Sequence, residues 1–289
     1  MPRFIGDDPV MKSEEFRLLR DLIGARLGIA LPHDGAPQLT RRLRERLAVL
    51  NLTTFAEYHQ YLRFHPLAQV EWDEAVELLT TNETYFFRQE FQLRAFRDEV
   101  LPLLAKENVQ RRSLSVWSAG CSTGEEAYTI AMLISDSGLF AGWDVRVFGS
   151  DISKRCVAAA RRGVYGVSSF RAMASHEKNR HFIERVDGAA ISEKIRSMCH
   201  FGQMNLLDDE RSRIFGRVDA VFCRNVLIYF DAHARRRVID NFHDRLYPGG
   251  VLLLGHSESL LNVSTAFELL HLKEDLAYRK PRSSFGSDR

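Results

Sequence analysis

The run Leu114-Ser-Val-Trp-Ser-Ala-Gly-Cys-Ser-Thr-Gly-Glu-Glu126 constrains the fold of this chain more than any other segment. It reads as a strand, a glycine-bearing turn and the start of a helix. Ser115, Val116 and Trp117 are extended, Gly120 and Gly124 bracket a tight loop, and a helix runs from Glu125 toward Leu133. A ligand can approach backbone closely at a glycine because no Cβ intervenes. The helix start offers unpaired N–H groups beside it. A second apolar run, Val145-Arg-Val-Phe-Gly-Ser-Asp151, ends in a carboxylate. Nucleotide-binding α/β folds place an acid there to hold ribose hydroxyls.

The two glycines are spaced Gly-x-x-x-Gly, so the dinucleotide fingerprint is not met. The helix opens with Glu125 and Glu126, which suit a helix start but repel a pyrophosphate. A ligand that combines ribose with positive charge fits better. That points to S-adenosylmethionine, whose sulfonium and amine are cationic. The plainer alternative is an αβ turn that uses glycine for its geometry alone.

A chain of 289 residues is long enough for two domains. Its 45% hydrophobic and 27% charged residues are those of a soluble globular protein, and a net charge of +2 leaves electrostatic steering to local patches. Cys121, Cys156, Cys199 and Cys223 are widely spaced, with no Cys-x-x-Cys pair, which predicts free thiols in a reducing cytosol. No apolar run is long enough to span a membrane, and the first residues lack a signal-peptide pattern, so direct membrane insertion is not expected. The tail Pro281–Arg289 reads as frayed.

Residues 12 to 79 read as helices only. Ser13 is placed as an N-cap, Phe16, Leu19, Ile23 and Leu27 recur at helical spacing, and Gly28 ends that helix. A second helix covers Gln38 to Leu50, with Leu39, Leu43, Leu47 and Leu50 as its apolar stripe. Arg41, Arg42, Arg44 and Arg46 occupy its flanks and outer face. Thr54 to Leu62 and Glu71 to Leu79 supply further helices.

From Ser113 onward, strands near 114–118, 144–150, 218–224 and 250–256 alternate with helices near 125–135, 153–162 and 233–246. That alternation predicts an α/β fold with a parallel sheet and helices on both faces. Thr265–Leu272 and Leu276–Lys280 read as strands that close the sheet antiparallel. The stretch between Gly163 and Gly202 is polar and breaks the alternation, so it is read as an inserted subdomain. Within it, Ala190–Arg196 and Ser197–Phe201 are read as a small hairpin.

Three further segments carry chemistry. In Leu79-Thr-Thr-Asn-Glu-Thr-Tyr-Phe-Phe-Arg88, Asn82 and Thr84 suit turn hydrogen bonds, Tyr85, Phe86 and Phe87 can pack or stack on a planar ligand, and Arg88 offers a fork for a carboxylate. In Val218–Phe230 an apolar strand is followed by Arg224 and Asn225, with Tyr229 in the next loop. Polar groups at that end of a parallel strand face the ligand crevice. Adenine-modifying methyltransferases tend to carry two prolines after the equivalent Asn or Asp, and this chain does not. His256-Ser-Glu-Ser259 follows a strand and reads as a structural loop at the rim. No Gly-x-Ser-x-Gly elbow supports a hydrolase, and the scattered histidines give no metal site.

Six blocks in order resemble the bacterial chemotaxis receptor methyltransferases, the CheR family. They are Thr81–Arg88, Trp117–Glu126, Ser150–Ile152, Asn205-Leu206, Phe222–Phe230 and Leu254–Ser259. The resemblance spans essentially the whole chain. It implies a Rossmann-like S-adenosylmethionine-dependent methyltransferase sheet, parallel with an antiparallel end strand. An all-α domain (1–80) precedes this methyltransferase domain (81–289), which carries a small β-subdomain inserted at about 165–202.

The implied activity is methylation of glutamate side chains on the cytoplasmic helices of methyl-accepting chemoreceptors, with S-adenosylhomocysteine as product. By motif match, Asn82, Thr84, Arg88, Glu126, Asp151, Asn205, Leu206, Arg224 and Asn225 line the cofactor site. Arg88 and Tyr229 sit nearest the transferred methyl. The Glu125-Glu126 doublet leaves open which acid touches the ligand. The basic helix with Arg41, Arg42, Arg44 and Arg46 is then a docking face for acidic receptor helices. The expected protein is a cytoplasmic monomer without nucleic-acid partners. Its compact stretch Phe182–Ile191, with one glycine, implies no binding of the receptor C-terminal pentapeptide that some relatives recognise there. A non-catalytic S-adenosylmethionine-binding regulator is the competing reading.

Overall fold

The computed structural model describes residues 9–173 and 175–282. The chain divides into two compact units: one runs through Thr81 and also takes in Tyr229–Ala234, and the other comprises Asn82–Ile228 with the chain from Arg235. The reading of a frayed tail falls, from residue 283 on, outside the described residues.

The first unit is helical: α1 (Ser13–Leu27), α2 (Ala36–Val49), α3 (Phe55–Phe64) and α4 (Ala68–Leu79). Helix α1 buries Phe16, Leu19, Ile23 and Leu27, and stops at Gly28, whose φ of 73° favours glycine. Its N-cap is Lys12, one residue before the expected Ser13. The Glu15 carboxylate decides the position, because it accepts the Lys12 N–H at 2.7 Å and the Ala56 N–H at 3.0 Å. Helix α3 starts with a reciprocal cap: the Glu57 N–H donates to Thr54 Oγ1 at 3.2 Å and the Glu57 carboxylate accepts the Thr54 N–H. After α1, Ile29 bridges Phe230, and the Ala30 N–H donates to the Tyr229 carbonyl at 2.8 Å.

The basic helix does not present its arginines as one outward face. Arg46 makes a two-point contact with Glu71, at 2.9 and 2.6 Å, and Tyr58 Oη donates to the same carboxylate at 2.6 Å. Glu71 is only 3% exposed, so Arg46 neutralises a buried charge. Arg42 donates to the Leu79 carbonyl at 2.7 Å and caps the last turn of α4. Leu39, Leu43 and Leu47 are buried as expected, whereas Leu50 is half-buried. Arg44 is half-buried and Arg41 is exposed. Arg42 and Arg46 are therefore correcting cases: helix α2 packs against α4, and its flanking cations serve that packing.

In the second unit, α5 (Glu90–Ala95), one π-helical turn (Phe96–Val100) and α6 (Leu101–Glu107) precede β1 (Ser113–Ala119). Then follow α7 (Glu125–Ser137), β2 (Asp144–Asp151), α8 (Lys154–Arg162), β3 (Val164–Tyr165), β4 (Phe182–Arg185), β5 (Gly188–Ile191) and β6 (Cys199–Gln203). The chain continues with β7 (Val218–Cys223), a helix Ala232–Arg245, β8 (Leu246–Leu254), β9 (Glu268–His271) and β10 (Leu276–Arg279). The main sheet has the order β6-β2-β1-β7-β8-β10-β9. Its first five strands run parallel, and β10 is antiparallel to both β8 and β9.

Strands β1 and β7 occupy the middle of the sheet and are largely buried on both faces, with small Ser118 on β1 and Asp219 on β7 among their buried apolar residues. Trp117 on β1 packs edge-on against Phe242, and its indole N–H donates to Ser150 Oγ on β2 at 2.9 Å. Phe96 packs edge-on against Phe222 on the other side.

The inserted sheet is β3-β5-β4, antiparallel throughout. The hairpin expected at Ala190–Phe201 is not formed. Ala190 and Ile191 pair within β5, Glu193–Arg196 is a helical turn, and Cys199–Gln203 joins the main sheet beside β2. The insertion accordingly ends before Cys199, short of residue 202. Strand β6 is a half-buried edge strand, so its sequence carries no apolar run to betray it.

Candidate functional site

The strand order reverses at β1: β2 and β6 lie on one side of it, β7 and β8 on the other. In an open α/β sheet the ligand crevice forms there, beyond the carboxyl ends of the strands. The loop after β1 crosses this point. Gly120 and Gly124 have φ of 78° and 95°, and a Cβ at Gly120 would lie 2.5 Å from Val226 Cγ2. Glycine is therefore required where the loops after β1 and β7 meet.

Asp151 ends β2. Its two carboxylate oxygens accept the Ser122 N–H at 2.8 Å and the Ser153 N–H at 2.9 Å. This fixes the acid against the glycine loop. Ser122 Oγ donates to the Asn82 carbonyl at 3.0 Å, which ties the start of the sheet unit to the same loop. The Met204 N–H donates to the Asp151 carbonyl at 2.8 Å, bringing Asn205 and buried Leu206 to the Asp151 end of the crevice. Asn205 Oδ1 accepts the Leu207 N–H at 3.0 Å.

The glutamate doublet splits in two directions. Glu126 accepts from Ser118 Oγ on β1 at 2.7 Å and from Arg224 at 3.3 Å, across the switch point. Glu125 turns away, accepting from Thr123 Oγ1 at 2.6 Å and from Ser169 Oγ of the insertion at 2.9 Å. Burial pushes both carboxyls above their ordinary value; Arg224 and Ser118 oppose this at Glu126, and the two hydroxyls oppose it at Glu125. Burial also lowers the Arg224 guanidinium, against the pull of Glu126.

Arg224 holds more than Glu126. It donates to the Arg88 carbonyl and to Gln89 Oε1, gripping the turn that starts the sheet unit. Phe87, Gln89, Ser122 and Asn225 all have positive φ, between 50° and 60°, and all four lie in these loops. Non-glycine residues in that region cost energy and persist where surrounding bonds over-determine them. Arg88 itself donates to the Glu83 carbonyl at 2.7 Å and is half-buried. Thr84 is half-buried in the same turn.

The aromatic trio does not form a stacking platform for a ligand. Phe86 and Phe87 are buried, and Phe86 packs on Phe170, Tyr165 and Phe182. Tyr85 is covered by the Arg171 guanidinium at 3.9 Å, while Arg88 lies 5.9 Å from the same ring. Tyr229 groups with the helical unit through its carbonyl, and its side chain is exposed.

The crevice fits a ribose-bearing cationic cofactor. It places the Asp151 and Glu126 carboxylates beside a loop without side chains at Gly120. Among the described residues, Arg224 Nε and Asn225 Oδ1 are buried here without a hydrogen-bond partner. Both are groups that a polar ligand satisfies. No cluster of three or more metal-ligating side chains occurs among the described residues.

Sequence reasoning treated Glu258 as part of a rim loop. Its carboxylate in fact receives N–H groups from Asn225, Val226, Ile228 and Gly255. Ser118, Ser169 and Gln89 also hold site residues, and nothing in their local sequence signals it.

Comparison with known proteins gives a consistent result. Residues 82–276 match the family model for the CheR methyltransferase SAM binding domain, and residues 14–80 match that for the CheR methyltransferase all-alpha domain. The chain is 32% identical over 274 residues to chemotaxis protein methyltransferase 2 of Vibrio cholerae, covering 94% of each. It is 37% identical over 257 residues to chemotaxis protein methyltransferase 2 of Pseudomonas aeruginosa, covering 87% of this chain and 88% of that one. It is 34% identical over 265 residues to the chemotaxis protein methyltransferase of Escherichia coli, covering 90% and 89%. With its all-α domain followed by a methyltransferase sheet, this chain belongs to the CheR methyltransferase family and uses S-adenosylmethionine as its methyl donor.

Proposed function

We propose that this protein esterifies glutamate side chains on the cytoplasmic helices of methyl-accepting chemoreceptors. The observation that carries this reading is the shared anchor at Arg224. One guanidinium pairs with Glu126 in the cofactor crevice and holds the Arg88 carbonyl at its edge. A cation able to orient a carboxylate is thereby tied to the acids assigned to the cofactor.

The cofactor supplies an electrophilic methyl on a sulfonium. A glutamate carboxylate is ionised at neutral pH, so no proton must be removed before its oxygen forms the ester bond. The electron pair of the broken carbon–sulfur bond stays on sulfur. The residues therefore act by placement, and alignment alone can lower a barrier by roughly 7–11 kcal/mol. Asp151 would hold the ribose hydroxyls and Glu126 the cationic end. Asn82, Thr84, Asn205, Leu206 and Asn225 complete the cofactor wall. Arg88 orients the incoming carboxylate, and Tyr229 shapes the channel through which the methyl passes.

The helical domain is the receptor-contacting part in this reading. Docking then rests first on exposed Arg41, since Arg42 and Arg46 are committed within the domain. The insertion joins β4 to β5 through Val186 and Asp187 alone, and this short turn favours independence from a receptor pentapeptide. In this reading the protein works as a cytoplasmic monomer, on the side of the membrane where the receptor helices lie. No helix among the described residues is long and apolar enough to cross a membrane.

The test is incubation with labelled S-adenosylmethionine and receptor cytoplasmic fragments, followed by assay of base-labile methyl ester. Ester formation that falls in Arg88→Ala and Tyr229→Phe is expected. Cofactor binding without ester on any receptor fragment would instead favour the non-catalytic regulator. Micromolar binding of the receptor pentapeptide by calorimetry would overturn the independence proposed here.

A further inference from the structure

Strands β7 and β8 lie side by side, with Cys223 paired to Leu254. The two loops that leave their carboxyl ends, Arg224–Ile228 and Gly255–Glu258, therefore start as neighbours. The second loop closes on itself. The Glu258 N–H donates to the Gly255 carbonyl at 2.9 Å, and the Gly255 N–H donates back to Glu258 Oε2 at 2.7 Å. This reciprocal turn aims the carboxylate at the first loop. Oε2 also takes the Asn225 N–H at 2.8 Å, while Oε1 takes those of Val226 at 2.9 Å and Ile228 at 3.2 Å.

Both carboxylate oxygens thus work as paired acceptors for four backbone N–H groups. Bonds from N–H groups to an ionised acceptor are among the stronger ones in proteins. The fit is tight: a Cβ on Gly255 would lie 2.6 Å from Glu258 Oε2 and 2.8 Å from the Asn225 nitrogen. The loop it holds needs holding. Asn225 sits at φ 60°, and its Oδ1 is buried with no hydrogen-bond partner. Two prolines would stiffen such a loop through its φ angles. This chain has Val226 and Leu227 there.

We propose that Glu258 is a positioning residue for cofactor binding: its carboxylate fixes the Asn225–Ile228 backbone so that the Asn225 side chain is presented to the crevice. The inference rests on the reading of Asn225 as a cofactor contact. Glu258 acts through Asn225 and does not itself touch the cofactor.

Calorimetric titration with S-adenosylhomocysteine tests this in a double-mutant cycle of Glu258→Gln and Asn225→Ala. The Gln side chain keeps the volume but replaces one double acceptor with a donor. Its affinity should fall about tenfold or more, the scale of losing charged hydrogen bonds. In the Asn225→Ala background the same substitution should add little. Amide exchange at Asn225, Val226 and Ile228 should accelerate while that of β1 and β7 stays protected. Equal affinity for Glu258→Gln and the unsubstituted protein would overturn the inference, as would losses that multiply independently. If Glu258→Gln fails to fold, Glu258→Asp, which keeps the charge on a shorter arm, carries the same cycle. Failure of the unsubstituted protein to bind would overturn the cofactor-site reading, and this inference with it.

Discussion

Arg224 and Glu126 face each other at 3.3 Å across the point where the sheet reverses its strand order, with side chains only 3% and 14% exposed. The pair joins the end of β7 to the first turn of α7. Removing one partner from such a pair strands the other charge. Glu126→Gln should therefore lower stability by about 3 kcal/mol in urea unfolding. It should also weaken S-adenosylhomocysteine binding in calorimetry. Unchanged stability together with unchanged binding would show that the pair does neither.

The neighbouring Glu125 is held by two hydroxyls, whereas Glu126 pairs with a cation, so replacing Glu125 by Gln strands no arginine. Burial raises its carboxyl above the ordinary 4.5, so the folded protein holds that proton more tightly than the unfolded chain. Stability from this group is present in full below the unfolded value and is lost as pH rises through the folded one. Gln can accept from one of Thr123 and Ser169 and donate to the other. Glu125→Gln should thus gain stability relative to the parent as pH rises above the ordinary carboxyl value of 4.5, and hold that gain once the folded carboxyl has ionised. Thermal melting across this range checks the sign; a variant that loses ground as pH rises would contradict it.

Two arginines of one helix should separate stability from docking. Arg46→Ala leaves Glu71 buried without its cation, and should cost about 3 kcal/mol in urea unfolding of the protein. Arg41 is exposed, and Arg41→Glu should leave stability within about 0.5 kcal/mol. That charge reversal should instead slow receptor methylation at low salt and matter less at high salt. Salt-independent methylation by both proteins would remove Arg41 from the docking surface.

The thiols should be slow to react in the native state. Burial pushes Cys121, Cys199 and Cys223 up, so little thiolate exists near neutral pH. A thiol-selective disulfide reagent should titrate few groups before unfolding and all four cysteines after it. Rapid native reaction at Cys121 or Cys223 would mean that the loops beside the crevice open readily.

Strands in the middle of the sheet and helices with one apolar stripe were legible from sequence. Strands β1, β2, β7 and β8 stand out as apolar runs, and Phe16, Leu19, Ile23 and Leu27 mark α1 by spacing. Cys199–Gln203 was not legible, because a half-buried edge strand needs only its partner β2, which is distant in the chain. The run Glu90–Glu107 is helical with a π turn, although Leu93, Phe96, Val100 and Leu104 already recur at helical spacing. In the site, acids and amides at strand ends could be read from position. Partnerships could not: Arg46 with Glu71, or Glu258 with the Asn225 loop, depend on which elements become neighbours. The aromatic trio shows the same limit, since Phe86 answers to Phe170 and Phe182 of the insertion.

Strand β10 lies between β8 and β9, although it is made after both. As the chain leaves the ribosome, the mostly buried β8 is finished first, and on that side its backbone has nothing to bond until Leu276–Arg279 emerges. Strand β9 cannot stand in, because it pairs with β10 rather than β8. A nascent chain interrupted between His271 and Leu276 would present an open, apolar edge to any similar chain nearby. Synthesis thus carries a late vulnerable interval, closed only when one four-residue strand slots into place.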